Sequence, residues 1–229
     1  MTTESDTLLS FPGPYRGWAR RVLAVSAWCL IIAVIFWFLV HFAAHYYLQY
    51  TEDSFDPYWP RRGWLLLHVS GGLLALVVGP WQFWTGLRRR VPRIHRWTGR
   101  LFIVGVAVGV TGAAYLAVTT TYGWPWGVGV GGLAVAWASC TVMAFYAIRR
   151  GEIATHREWM IRTYVVTFAF VTDRVLDYGL PPSDIQPEPD RMVTDIWLSW
   201  VVPLFATIII QSLVAMHRNS AAKFAIIVE

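Results

Sequence analysis

The chain reads as an all-α integral membrane bundle of six transmembrane helices, and three observations lead there. Of its 229 residues, 56% are hydrophobic and only 14% are charged. The apolar residues are gathered in long blocks rather than spread at amphipathic spacing, and several blocks reach the roughly 20 residues a helix needs to cross a bilayer. The connections between blocks alternate in character, rich in arginine on one side and in acids on the other. The net charge of +5 is therefore a topology signal, since no basic stripe with interleaved aromatics marks a nucleic-acid face.

The predicted helices cover residues 18–47, 64–86, 96–120, 127–149, 156–178 and 193–216. The first stretch is too long for a signal-peptide core and has no small-residue cleavage site, so it is read as a retained anchor. Helices two to five form a four-helix core, flanked by the first and sixth. The chain divides accordingly into an N-terminal segment (1–17), the anchor helix with its outer loop (18–63), the core (64–178), an acidic proline-rich outer loop (179–192), and the sixth helix with its tail (193–229).

Arg16, Arg20 and Arg21 precede the first helix. Arg88, Arg89, Arg90, Arg93, Arg96 and Arg100 crowd the second connection, Arg149, Arg150, Arg157 and Arg162 the fourth, and Arg218 and Lys223 follow the sixth helix. By the positive-inside rule these sides are cytoplasmic, which puts both termini on the cytoplasmic side. Glu52, Asp53, Asp56, Asp184, Glu188 and Asp190 fall on the other side, where Arg61 and Arg62 are exceptions. Most of these arginines are expected to hold loops inside and meet anionic headgroups. Trp59, Trp64, Trp81, Trp84, Trp97, Trp124, Trp126 and Trp159 lie near helix ends, as an interfacial belt would. Cys29 and Cys140 are isolated within helices, so neither a disulfide nor a zinc motif is expected. No phosphate-cradling loop or catalytic serine motif is present.

Ionisable residues inside a membrane are costly enough to need a reason, and here they sort by depth. His95, His156 and His217 lie at cytoplasmic helix ends; His41, His45 and His68 lie toward the outer side. His41 and His45, one turn apart, are two metal-ligand candidates without a third. On helix two, His68 and Gln82 fall within about 40° of each other, with Gly72, Ala75 and Gly79 between them. On helix three, Gly99, Phe102, Val106 and Gly109 continue the face of His95. On helix five, His156 and Arg174 come into phase after five turns, about 27 Å along the axis. Small residues on one face also serve close helix packing with no ligand, and Arg174 with Asp177 could be an internal ion pair.

The runs His68-Val69-Ser70-Gly71-Gly72, Gly79-Pro80-Trp81-Gln82-Phe83, His95-Arg96-Trp97-Thr98-Gly99-Arg100 and His156-Arg157-Glu158-Trp159-Met160-Ile161-Arg162 together resemble the bacterial membrane-protein family known as domain of unknown function 2306, over residues 64–178. More distantly, a four-helix core with histidines near both faces is similar to the transmembrane b-type cytochromes, including the ascorbate-reducible ones. That likeness implies haem b, with His95 and His156 as axial ligands to its iron and Arg96, Arg100 and Arg162 on its propionates. An outer haem would need His68 with His45 or His41, and helix four supplies no histidine. A quinone variant places a ring carbonyl against Gln82 or His68. The leading expectation is thus an electron-transfer protein holding haem b or quinone, with lipid and a redox or membrane-complex partner. The alternatives are a membrane scaffold or assembly factor, and a proton-coupled transporter using His68, Asp173 and Arg174 at one end and His95, Gln82 and Arg162 at the other. No internal repeat or broken helix pair favours the transporter.

Overall fold

The computed structural model describes residues 15–88, 91–179 and 190–228. The N-terminal segment before Tyr15, Arg89, Arg90 and the proline-broken loop 180–189 lie outside the described residues. Helix α1 (Tyr15–Phe38) runs through a π-helical segment, Leu39–Ala43, into α2 (Ala44–Leu48). A short helix, α3 (Glu52–Phe55), is capped by Thr51, whose hydroxyl accepts from the Ser54 amide at 3.3 Å. After a 3₁₀ turn at Trp59–Arg61 come α4 (Arg62–Arg88), α5 (Pro92–Val118) and α6 (Trp124–Arg149). The chain closes with α7 (Ile153–Thr167), α8 (Ala169–Gly179) and α9 (Asp190–Val228). Gly123 and Gly151, with φ of 87° and 77°, make the two sharp turns either side of α6.

Every predicted helix is present, most with ends within four residues of expectation. Two differences stand out. The last helix continues to Val228, past the expected end at 216, so the described tail is helical. The predicted fifth helix is broken at Phe168 into pieces of 15 and 11 residues. Thr163 and Thr167 donate back to the carbonyls of Trp159 and Thr163, both at 2.8 Å, a local competition that weakens a helix. Among the described residues, five helical stretches are therefore long and apolar enough to cross a membrane: Arg21–Leu48, Trp59–Thr85, Pro92–Val118, Trp124–Arg149 and Asp190–Arg218. The predicted fifth helix, α7–α8, carries Arg157, Glu158, Arg162, Asp173, Arg174 and Asp177. It packs within the bundle, with contacts to α4, α6 and α9.

Only 6% of the most apolar window of α1 and 11% of that of α9 are buried, against 39% for α5 and 44% for α6. The first and last helices are thus the periphery, presenting apolar side chains such as Leu23, Ile32, Phe205 and Ile210 outward. The tightest joint is between α4 and α5. A Cβ on Gly71 would run into the Gly109 and Gly105 backbone, and one on Gly112 would sit 2.6 Å from the His68 amide nitrogen. Glycine at these positions lets the two backbones touch, which is how helices associate where lipid supplies no hydrophobic driving force. Apart from Gly72, the glycines of the small-residue faces are met by protein. Gly79 meets the Tyr164 ring, Gly99 the Gln82 side chain, and Gly109 the Trp137 ring. None of these three faces offers a slot for a macrocycle.

Adjacent glycines separate packing from space. A Cβ on Gly72 would meet nothing within 4 Å. Gly71→Leu is expected to destabilise the detergent-solubilised protein by about 1–3 kcal/mol through overpacking, while Gly72→Leu leaves the thermal midpoint unchanged or higher. Equal loss in both variants would contradict this account of the α4–α5 joint.

Candidate functional site

The bundle encloses a cavity of about 450 Å³ at its acidic end, bounded by α1 and its π segment, α4, α6, α8 and α9. Its floor is apolar, built from Leu73, Leu76, Leu133, Ala134, Trp137 and Val171. Its polar lining comprises His41, His45, Tyr58, His68, Tyr122, Asp173, Arg174, Asp177 and Asp195. A few convergent polar groups over an apolar floor is the usual form of a small-molecule site.

His68 is held by the α4–α5 joint. Its Nδ1 donates to the Gly109 carbonyl at 2.9 Å, and its ring stands edge-on to Phe170. A carbonyl can only accept, so this bond sets the tautomer and leaves Nε2 as a lone-pair nitrogen. Burial, with Tyr122 and Tyr46 nearby, pushes the Tyr58 hydroxyl up to about 12, so it stays protonated and able to donate. Burial raises Tyr122 in the same direction. His45 lies against Tyr46, while His41 is exposed and its Nδ1 is 3.0 Å from the Trp37 carbonyl of its own helix.

The acids form one network across α8 and α9. Arg174 Nη1 lies 3.6 Å from Asp177 and 4.0 Å from the buried Asp173. Arg191 reaches Asp177 at 3.4 Å and Asp195 at 3.5 Å, and donates to the Asp177 carbonyl at 2.8 Å. The expected internal pair of Arg174 and Asp177 is thus present, inside a larger cluster. Arg174 also sits over the Phe42 ring, 5.6 Å from its centroid. The break at Phe168 divides the helix on which Arg174 and His156 were expected to stand in phase. Arg61 and Arg62 have structural work at this end. Buried Arg61 donates to the Thr119 carbonyl and ties the α3–α4 and α5–α6 connections together, and Arg62 stacks on Trp59 at 4.3 Å.

At the arginine-rich end, the other candidate residues are engaged with protein. Buried Gln82 spends its amide protons on the His95 carbonyl, at 3.1 Å, and the Thr98 hydroxyl, so it is a tie between α4 and α5 rather than a donor to a quinone. Arg162 donates to Gln211 at 2.7 Å and lies over Trp159, clamping α7 to α9. His95 and His156 are both half-buried. His156 Nδ1 donates to the Ala144 carbonyl at 2.8 Å. His95 Nδ1 lies 3.1 Å from the Thr85 hydroxyl, which itself donates to the Trp81 carbonyl. His95 Nδ1 is thus held by a hydroxyl and His156 Nδ1 by a carbonyl, the kind of partner that orients a ligating imidazole.

Haem can be tested against these donors. Neither His95 nor His156 lines the cavity at the acidic end, and Arg96 and Arg100 do not fit the propionates. With Arg93 and Trp97 they line an exposed recess on another face of α5. Within the α8–α9 network the carboxylates of Asp173, Asp177 and Asp195 outnumber the guanidiniums of Arg174 and Arg191, so a propionate would meet acids as well as arginines. That cavity suits a neutral ligand better than an anionic one. Among the described residues, no group of three or more His, Cys, Asp or Glu could hold a metal ion. Cys29 is exposed and Cys140 buried, both free.

Fold and site define a multi-pass integral membrane helical bundle with an apolar-floored cavity lined by a few polar groups. The family model described as "Predicted membrane protein (DUF2306)" matches residues 65–218, and the chain belongs to that family. The match runs beyond the expected residues 64–178 to take in most of α9. No curated protein and no solved structure matches the chain.

Sequence reasoning missed Asp195, Arg191, Tyr58 and Tyr122 as lining or network residues. Asp195 was readable, as an acid inside an otherwise apolar block. Trp126 was expected in the interfacial belt but is buried against the cavity, whereas Trp81, Trp84, Trp97 and Trp124 are exposed as a belt requires.

Proposed function

We propose that the cavity at the acidic end receives the head group of a membrane quinone and that the protein is a quinone-interacting component of an electron-transfer system. The observation that carries this reading is an apolar-floored cavity lined by His68, whose ring has its proton committed elsewhere. The neutral head group avoids the charge conflict that a haem would meet there. A quinol hydroxyl donates to His68 Nε2, and Tyr58 supplies a donor for a quinone carbonyl. A quinone carries protons together with electrons, and the Asp173–Asp177–Asp195 network gives protons a polar way out. The test is equilibrium binding of a short-chain quinone to purified protein. Wild type is expected to bind above the micelle background. His68→Phe weakens binding about fivefold, as loss of one hydrogen bond of about 1 kcal/mol does, and Gly72→Leu fills the cavity and abolishes binding. Folded wild type that holds no more quinone than empty micelles would end this reading.

A second reading, haem b at the opposite end, is supported by the fixed Nδ1 bonds of His95 and His156. It requires a reduced-state haem band in purified protein that disappears in His95→Ala and His156→Ala. Colourless, well-folded protein removes it.

The excess of arginine at one end supports a cytoplasmic placement for that end in a bacterial inner membrane, with α7–α8 completing a sixth crossing and both termini inside. A reporter enzyme that matures only outside the cytoplasm is expected to be active when inserted after Asp53 and inactive after Gly151. The reverse pattern refutes the orientation.

A further inference from the structure

We infer that Arg93, Arg96 and Arg100 form a binding site for the phosphate of an anionic phospholipid on the outer face of α5. The three arginines stand at i, i+3 and i+7, so they share one face over the first two turns. With Trp97 they line a recess of about 270 Å³, and all four side chains are exposed. Arg100 is stacked on Trp97, its guanidinium carbon 4.9 Å from the ring centroid, which holds that cation in place. Among the described residues no carboxylate lies within 4 Å of any of the three, and the first turn of α5 contains no acid. Three like charges are thereby gathered without a counter-ion, beside the positive end of a 27-residue helix. Guanidinium is the group that pairs with phosphate oxygens through two parallel hydrogen bonds.

A second observation points to a lipid rather than a free anion. The same face continues away from the arginines as an exposed apolar track, Trp97 at 64%, Leu101 at 46% and Val104 at 53% exposure, spaced i, i+4 and i+7. A phosphate seated among the arginines would lay its acyl chains along that track. Position within α5 also explains why these arginines do not serve His95: they point outward, whereas His95 is tied to α4 through Thr85.

The test compares lipid retention by native mass spectrometry, using protein equilibrated in mixed micelles containing phosphatidylglycerol or phosphatidylcholine. Wild type is expected to retain phosphatidylglycerol about tenfold better than phosphatidylcholine, and to lose that preference in Arg93→Gln/Arg96→Gln/Arg100→Gln. Arg96→Gln alone, a milder variant, should lose part of it. A control that removes charge from the same end, Arg149→Gln/Arg157→Gln, should keep it. Equal retention of both lipids by wild type, or equal loss in the control, overturns the proposal. So does inorganic phosphate at millimolar concentration displacing the lipid completely, which would identify a free-anion site.

Discussion

The contact on which this bundle depends is the backbone-to-backbone closure of α4 on α5 at Gly71, Gly105, Gly109 and Gly112. In a bilayer the lipid chains are as apolar as leucine, so helices gain little from burying one another and rely on close packing and hydrogen bonds. Where glycine removes the side chain, the carbonyl of Gly109 comes within reach of the His68 ring on the neighbouring helix. The same closure therefore holds the pair together and fixes the tautomer of the imidazole at the cavity. Gln82 repeats the principle at the far end of the joint, bridging to His95 and Thr98.

The cavity persists at the acidic end because one wall is lightly built. α1 buries little of its length and is held there by rings, Trp37 and Phe42 against Tyr178 at 6.2 and 5.5 Å. Its π-helical segment brings His41, Phe42 and Ala43 to the edge of the space, and α2 adds His45 and Tyr46. π segments often mark functional positions in helices. Across the cavity, the buried acids are offset by Arg174 and Arg191, each shared between two carboxylates. Sharing keeps the network near neutrality, which lowers the cost of placing charge beside an apolar floor.

The two ends of the molecule thus differ in kind. At the arginine-rich end most polar side chains are absorbed into ties between helices, and the cations left over face outward on α5. At the acidic end polar groups face an internal space. A redox reading from histidine positions alone favours the former, because His95 and His156 are paired in depth. Cavity and charge favour the latter.

The amino-acid sequence by itself determined the class of protein, most helix boundaries, most of the belt of exposed tryptophans and the family. These follow from local composition, since a long apolar block has one stable form in lipid and arginine marks one end of it. It also exposed His68, His95 and His156 as residues needing a reason. Only the tertiary structure decided which polar residues share a space. Helical phase treated α7 and α8 as one straight rod, yet the break at Phe168 divides it, and Asp195 and Tyr58 reach the cavity from segments far apart in the chain. Periodicity describes one helix at a time. The meeting of His68 with Asp173 and Asp195 depends on how separate helices cross, and that is settled by glycine contacts between them.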